Sequence, residues 1–251
     1  MGIFSSFRRF FTRVVPVALF WLLVWEGIAA AVGAGIIIAS PRAAFARLFA
    51  LAQTGNFWLS IGGSMHRIML GFFLALAIGI ILAVGCVASK LIYRLIHPAV
   101  NVINAIPLAS FVVVAIFYFR HSLATFVAFI MVMPIIFHNT YKGIRATDPA
   151  LLEMARVFRV SHGKRTRYIY VKTVAPFLLS AASVGIGIAW KSGISAEMIG
   201  IARGTIGGGL HAARMNLLTA DVFAWTIAIV ALSYAIDKLF ALIFVRERER
   251  P

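Results

Sequence analysis

The sequence predicts an all-α polytopic membrane protein of about six transmembrane helices, and three observations carry that prediction. Of its 251 residues 62% are apolar and 13% charged, with a mean hydropathy of +0.95. A soluble domain carries roughly a quarter charged residues, and a soluble fold of this length has no interior large enough to hide the surplus. The apolar residues also gather into runs near the roughly 20 residues that a helix needs to cross a bilayer. The runs are continuous and do not alternate on a two-residue period, which selects helices over a closed barrel. Finally, the 24 Lys and Arg residues are unevenly placed. With both termini cytoplasmic, sixteen fall inside: Arg8, Arg9 and Arg13, Lys90 and Arg94, the eight from Lys142 to Lys172, and Arg246, Arg248 and Arg250. Only six lie near the outer side (Arg42, Arg47, Arg67, Arg120, Arg203 and Arg214), which is the positive-inside pattern.

The first apolar run, 14–40, follows Arg8-Arg9-Phe10-Phe11-Thr12-Arg13 and imitates a secretory signal. It is too long for a signal core and five more runs follow, so a retained first helix is expected. An outer loop, 40–64, with Ser40-Pro41-Arg42 and Gln53-Thr54-Gly55-Asn56, is expected to carry a short amphipathic helix. The second span, 68–88, holds Cys86, the single cysteine, so neither an intrachain disulfide nor a cysteine metal site is expected. A brief basic inner loop, 89–98, leads to the third span, 99–119, and Arg120-His121-Ser122 makes a tight outer turn. The fourth and fifth spans, 123–141 and 173–190, are short and contain Pro134 and Pro176, so five and seven spans remain neighbouring counts. An outer segment, 200–221, with Gly207-Gly208-Gly209 precedes the sixth span, 222–245, and Arg246-Glu247-Arg248-Glu249-Arg250 reads as a solvated tail.

The net charge of +16 is read as attraction to anionic lipid headgroups in preference to nucleic acid. No Gly-x-x-x-x-Gly-Lys-Ser/Thr loop occurs, and the glycine run lacks the lysine, so ATP binding by that route is excluded. No nucleophile–base set or metal-ligand cluster points to an enzyme, and no cofactor is implied. Glu26, Lys191, Glu197, Asp237 and Lys238 lie in or near spans. Burying each charge in lipid costs at least about 2.5–3.5 kcal/mol, so they are expected to face protein, a cavity or a partner. Lys191 and Glu197 are read as lining a translocation path, with interhelical salt bridging as the alternative; Asp237 and Lys238 are read as pairing or snorkelling. Arg67 and His66, near the outer mouth, are read as attracting an anion. Asn101 and Asn104, beside Pro107, are read either as lining the path or as hydrogen-bonding between helices.

The remaining connection, 148–172, is a basic island with a helical pattern. Asp148 before Pro149 is a favourable start, a carboxylate at the N-cap and proline at the first position. Leu151, Leu152, Ala155 and Phe158 are expected on one face, with Glu153, Arg156 and Arg159 on others. Ser161-His162-Gly163 marks a turn, and 164–172 is expected to form a second short helix entering the fifth span. Such a pair either lies on the lipid surface or inserts its apolar face into a partner's groove.

The island resembles the loop signature of importer-type ABC permeases: Glu-Ala-Ala, three residues, Gly, then a downstream Leu-Pro. Leu152-Glu153-Met154-Ala155-Arg156 matches the Glu and second Ala, and Asp148-Pro149 the common lead-in. The wider pattern resembles the nitrate/sulfonate/taurine branch through Ser40-Pro41, Arg67, Gly71-Phe72, Gly79-Ile80, Asn104-Ala105-Ile106-Pro107 and Asn139-Thr140. It continues with Gly185, Ala189-Trp190, Ala196-Glu197-Met198-Ile199 and Gly207–Gly209, so the likeness runs from about residue 40 to the end. Arg159 stands where the signature glycine belongs and Val171-Lys172 where Leu-Pro belongs, while Pro176 fits a second proline. Because that glycine position often favours a left-handed backbone, the arginine is expected to stiffen the exit of the first helix.

The resemblance implies a type I ABC importer permease-like fold, with 1–251 as one transmembrane domain and 146–173 as its cytoplasmic coupling loop. It implies a non-catalytic subunit of the bacterial inner membrane, with ATP hydrolysed on a partner chain. That ATPase would meet Leu151, Leu152, Glu153, Ala155, Arg156 and Phe158. The translocation path would use Arg67, Asn104, Lys191 and Glu197. A second permease copy, identical or closely related, and an extracytoplasmic solute-binding protein are the other implied partners, and the substrate would be a small anion such as nitrate, a sulfonate or taurine, or bicarbonate. A stand-alone channel gives no reason for a docking island, and a gradient-driven secondary transporter is disfavoured because no internal repeat is evident.

Overall fold

A break in the third apolar run sets the layout of the helices. In the computed structural model, which describes residues 2–120 and 122–245 and, for 2–14 and 243–245, the backbone alone, eleven α-helices and one π-helical turn are found. The tail at 246–250 and His121 of the expected turn lie outside the described residues. In order these are α1 (Gly2–Val32), α2 (Pro41–Ala52), α3 (Gly55–Ala88), α4 (Lys90–Ala105), α5 (Leu108–Phe119), α6 (Leu123–Arg145) and α7 (Pro149–Val157). Then come α8 (His162–Arg165), the π turn (Thr166–Tyr170), α9 (Val171–Ile199), α10 (Ile206–Met215) and α11 (Thr219–Val245). No strand occurs among the described residues.

Five segments are long and apolar enough to cross a membrane: α1, α3, α6, the rod His162–Ile199 and α11. The expected third span instead divides into α4 and α5, bent by 106°. Pro107 excludes the α region for the residue before it, and Ile106 is extended at φ −75, ψ 126. With 12 residues, α5 rises only about 18 Å, short of the roughly 30 Å hydrocarbon core, so it completes a sixth span only together with α4. The expected outer loop is also mostly helical. Ser40 caps α2, its Oγ accepting from Ala43 N at 3.3 Å, and α3 starts at Gly55, well before residue 68.

The core lies where α3, α6 and α9 meet. Ile68, Phe72, Val132, Ile136, Phe137 and Trp190 are all buried there. Helices α3 and α6 run parallel, with Gly71 against Thr125 and Gly79 against Ile136; α9 runs antiparallel to α6, with Gly143 against Phe177 and Gly185 against Val132. Lipid tails are as apolar as the side chains, so this association relies on close packing of small residues. A Cβ at Gly71 would strike the Thr125 carbonyl oxygen, and one at Gly193 the Ile68 side chain. Trp190 Nε1 donates to Ile229 O at 3.2 Å and joins α11 to this core. Arg47 on α2 grips Asp221 on α11 with both Nε and Nη2, the latter at 2.9 Å from Oδ2. Two ends result: one with α7 and the C-termini of α3 and α6, the other with α2 and α10.

Candidate functional site

Glu197 sits in the last turn of α9. Gly200 closes that helix, Ile201 takes a left-handed φ of 53, and Ala202 N donates to Glu197 O at 3.0 Å. Gly204, at φ 67, lets the chain double back into α10, whose cap Thr205 accepts from Gly208 N at 2.9 Å. The N-terminus of α10 therefore faces the Glu197 side chain. Gly207 N donates to Glu197 Oε2 at 3.2 Å, and Ser64 Oγ donates to the same oxygen at 2.7 Å while accepting from Ile206 N at 2.9 Å. A Cβ on Gly207 would lie 2.5 Å from Met198 N and from Glu197 Cβ. The glycine run thus serves close approach, and the acceptor at this helix N-terminus is the protein's own carboxyl group.

Ser64 and Arg67, three residues apart on α3, share a face. Arg67 Nη1 lies 3.7 Å from Glu197 Oε1, an electrostatic contact beyond hydrogen-bond reach. Both atoms are buried and neither has a hydrogen-bond partner. Such orphaned charged groups are costly, so a water or ligand between them is the natural complement. They open onto a cavity of about 490 Å³ lined also by Arg120, Leu123, Arg203 and Thr205. Arg120 and Arg203 are exposed and form no ion pair among the described residues. Three guanidinium groups against one carboxylate leave the cavity positive, with planar donors that match an oxyanion.

Of the residues expected on the translocation path, the structure brings Arg67 and Glu197 together. Lys191 is exposed on α9, Asn104 is exposed just before the bend, and neither lines this cavity, nor does His66. Lys238 Nζ lies over the Tyr234 ring at 5.3 Å. Sequence reasoning missed Ser64, Arg120 and Arg203 as members of the site. The three-residue spacing of Ser64 and Arg67 was a usable signal; nothing local ties Arg120 to Arg203.

At the opposite end, Asp148 Oδ1 accepts from Ala150 N at 2.8 Å and starts α7 as expected. The helix closes with Arg159 at φ 51; Arg159 N donates to Arg156 O at 3.0 Å and Val160 N to Ala155 O at 2.9 Å. This is a complete Schellman closure with an arginine at the left-handed position. The expected apolar face is divided. Ala155 is buried and Leu152 half-buried, whereas Leu151, Met154, Val157 and Phe158 are exposed, Val157 and Phe158 by 78% and 75%. Glu153 and Arg156 are exposed beside them. The short helix expected over 164–172 and entering the fifth span is formed by the end of α8 and the π turn, which run without a break into α9.

Against known proteins, residues 75–248 match the family described as binding-protein-dependent transport system inner membrane component. The nitrate import permease protein NrtB of Leptolyngbya laminosa is 26% identical over 147 residues, 58% of this chain and 52% of that protein. The bicarbonate transport system permease protein CmpB of Synechococcus elongatus is 26% identical over 189 residues, 74% of this chain and 68% of that protein. The chain thus spans about half the length of the first relative and about two thirds of the second. Among solved structures, an amino acid ABC transporter crystallised with histidines superposes with a TM-score of 0.64 at 18% identity, covering 81% of this chain and 98% of that one.

Proposed function

The chain belongs to the family of binding-protein-dependent transport system inner membrane components and is a permease subunit of an ABC importer; we propose that it carries a small anion and couples to a separate ATPase through α7. One observation carries the coupling. A nine-residue helix is too short to be stable alone, yet α7 is capped at both ends and holds Leu151, Met154, Val157 and Phe158 uncovered. That is the form of a helix that docks in a partner's apolar groove. Glu153 and Arg156 flank the stripe and would make polar contacts, while Ala155 and Leu152 seat α7 on its own protein. In this reading closure of an ATPase dimer draws two α7 helices together and tilts the bundles as rigid bodies. The permease then works as a pair, homodimer or close heterodimer, in the bacterial inner membrane with both termini cytoplasmic. A solute-binding protein delivers cargo at the α2–α10 end.

The anion reading is supported by the excess of arginine around the 490 Å³ cavity and by the names of the nitrate and bicarbonate relatives. Mild extraction of the chain co-expressed with its genomic neighbours tests the coupling. Wild type retains an ATPase, and Phe158→Asp and Val157→Asp lose it without loss of membrane insertion. Retention of the ATPase by both variants, or solute flux in liposomes without ATP, refutes the assignment. Uptake of labelled nitrate and bicarbonate by the reconstituted complex tests the cargo.

A further inference from the structure

A second cavity, of about 690 Å³, lies at the α7 end between α3, α6, the π turn and the start of α9. It is separate from the arginine-lined cavity and falls within the roughly 300–1,000 Å³ usual for ligand sites. Its wall is mostly apolar, with Ile80, Val84, Val87, Ile144, Val174 and Leu178 among the lining residues. Four side chains with polar groups interrupt it, Thr140, Arg165, Thr166 and Tyr170, and two of these, Thr140 and Arg165, stand apart.

Both carry unanswered donors. Thr140 is 1% exposed and its hydroxyl has no hydrogen-bond partner. Threonines inside helices usually turn their hydroxyl back to the carbonyl four residues earlier. Thr166 and Thr173, in the same neighbourhood, do so to His162 O at 3.0 Å and Ile169 O at 2.9 Å. Arg165 Nε is likewise buried without a partner, although Nη2 of the same side chain lies 3.1 Å from His162 Nδ1. Neighbouring arginines are otherwise engaged, Arg145 over the Tyr141 ring at 6.0 Å and Arg167 over the Tyr168 ring at 5.9 Å. Arg165 immediately precedes the π turn Thr166–Tyr170. A widened turn of this kind re-aims adjacent side chains and recurs at functional sites.

The geometry points to a binding site for one anionic phospholipid, its phosphate on Arg165, its glycerol and ester region near Thr140, and an acyl chain along the apolar wall. Charge complementarity and lining decide the occupant. A guanidinium with a free Nε–H matches a phosphate in a two-pronged grip. The apolar wall suits hydrocarbon and offers nothing to a free inorganic anion. Lys142, Lys164 and Lys172 lie nearby in the sequence and add the positive field that enriches anionic lipid. This inference rests on the membrane-spanning fold alone and holds whether or not α7 docks an ATPase.

The test is native mass spectrometry of the full-length chain, with whatever subunits co-purify, released from bilayers of phosphatidylcholine and phosphatidylglycerol with identical acyl chains. Phosphatidylglycerol is expected to be retained over phosphatidylcholine. Losing a charge-assisted hydrogen bond should lower that retention about tenfold in Arg165→Gln. Ala175→Phe, which fills the cavity without changing charge, should lower it as well, and Thr140→Val should lower it by a smaller factor. Arg167→Gln should leave it unchanged, since its guanidinium lies over Tyr168. Melting curves identify any variant that fails to fold, and the wild-type comparison stands without the variants. Equal retention of the two lipids, or equal losses in Arg165→Gln and Arg167→Gln, overturns the proposal in favour of general adsorption to a basic surface. Displacement of the lipid by millimolar inorganic phosphate overturns the choice of a lipid occupant.

Discussion

Replacing Arg159 by glycine should make the exit of α7 more stable. Arg159 holds φ 51 while closing the helix through two backbone hydrogen bonds. An L-residue in that conformation is disfavoured by about 1–2 kcal/mol, because Cβ crowds the following carbonyl oxygen. Glycine removes the crowding but gives back about 0.5–1 kcal/mol through the greater freedom of its unfolded chain. The balance runs from about 0 to 1.5 kcal/mol in favour of glycine, and its middle, about 0.75 kcal/mol, makes local opening roughly three- to fourfold rarer. Hydrogen exchange at the amides of residues 158–160 in detergent or nanodiscs reads this directly, since Arg159 N and Val160 N are the donors involved. Arg159→Ala is the control: it removes the charge and keeps the Cβ, so it should leave exchange unchanged or faster. Unchanged or faster exchange in Arg159→Gly would show that the left-handed position carries no strain, and the reasoning would fail.

Glu197→Ala should lower the melting temperature by removing about 2–3 kcal/mol, because the buried Gly207 N and Ser64 Oγ lose their shared acceptor. Glu197→Gln, which keeps an oxygen there, should lose less, and equal losses would argue against the hydrogen-bonded role. Arg47→Ala should destabilise by only about 0.5–1 kcal/mol, since its side chain is 47% exposed, and the difference should shrink in high salt; a salt-independent loss would point to packing. Gly193→Val forces a branched side chain into Ile68 and should cost about 1–3 kcal/mol or prevent assembly, visible as aggregation on size exclusion.

Much of the fold was legible because lipid simplifies the problem: long apolar runs have few alternatives to helices, and the runs at α3, α6, α9 and α11 became helices. What failed was local. The run 99–119 reads as one span because it is predominantly apolar, yet a single steric rule at Pro107 outweighs its hydropathy. The stretch 55–64 reads as the end of an outer loop, yet it lies on a continuous helix that runs into the second span, with Ser64 buried against Glu197. On α7, counting by helical period grouped Leu152 and Ala155 with Leu151 and Phe158. Which edge of an apolar stripe faces inward depends on where the flanking spans stand, and that is not encoded locally. Arg120 and Arg203 look like ordinary loop charges until folding brings them around one cavity.

The carboxylate of Glu197 does more than fill a helix end. It belongs to the final turn of one long helix and is gripped by the first turn of the next, with Ser64 of a third helix clasped between them. Corners between helices are ordinarily soft, but here bending would have to break the hydrogen bonds from Gly207 N and Ser64 Oγ to a buried carboxyl group. These bonds tie the start of α10 to the end of the rod that begins at His162. In the proposed coupling, a tilt imposed beside α7 would carry α10 with it at the opposite end of the bundle.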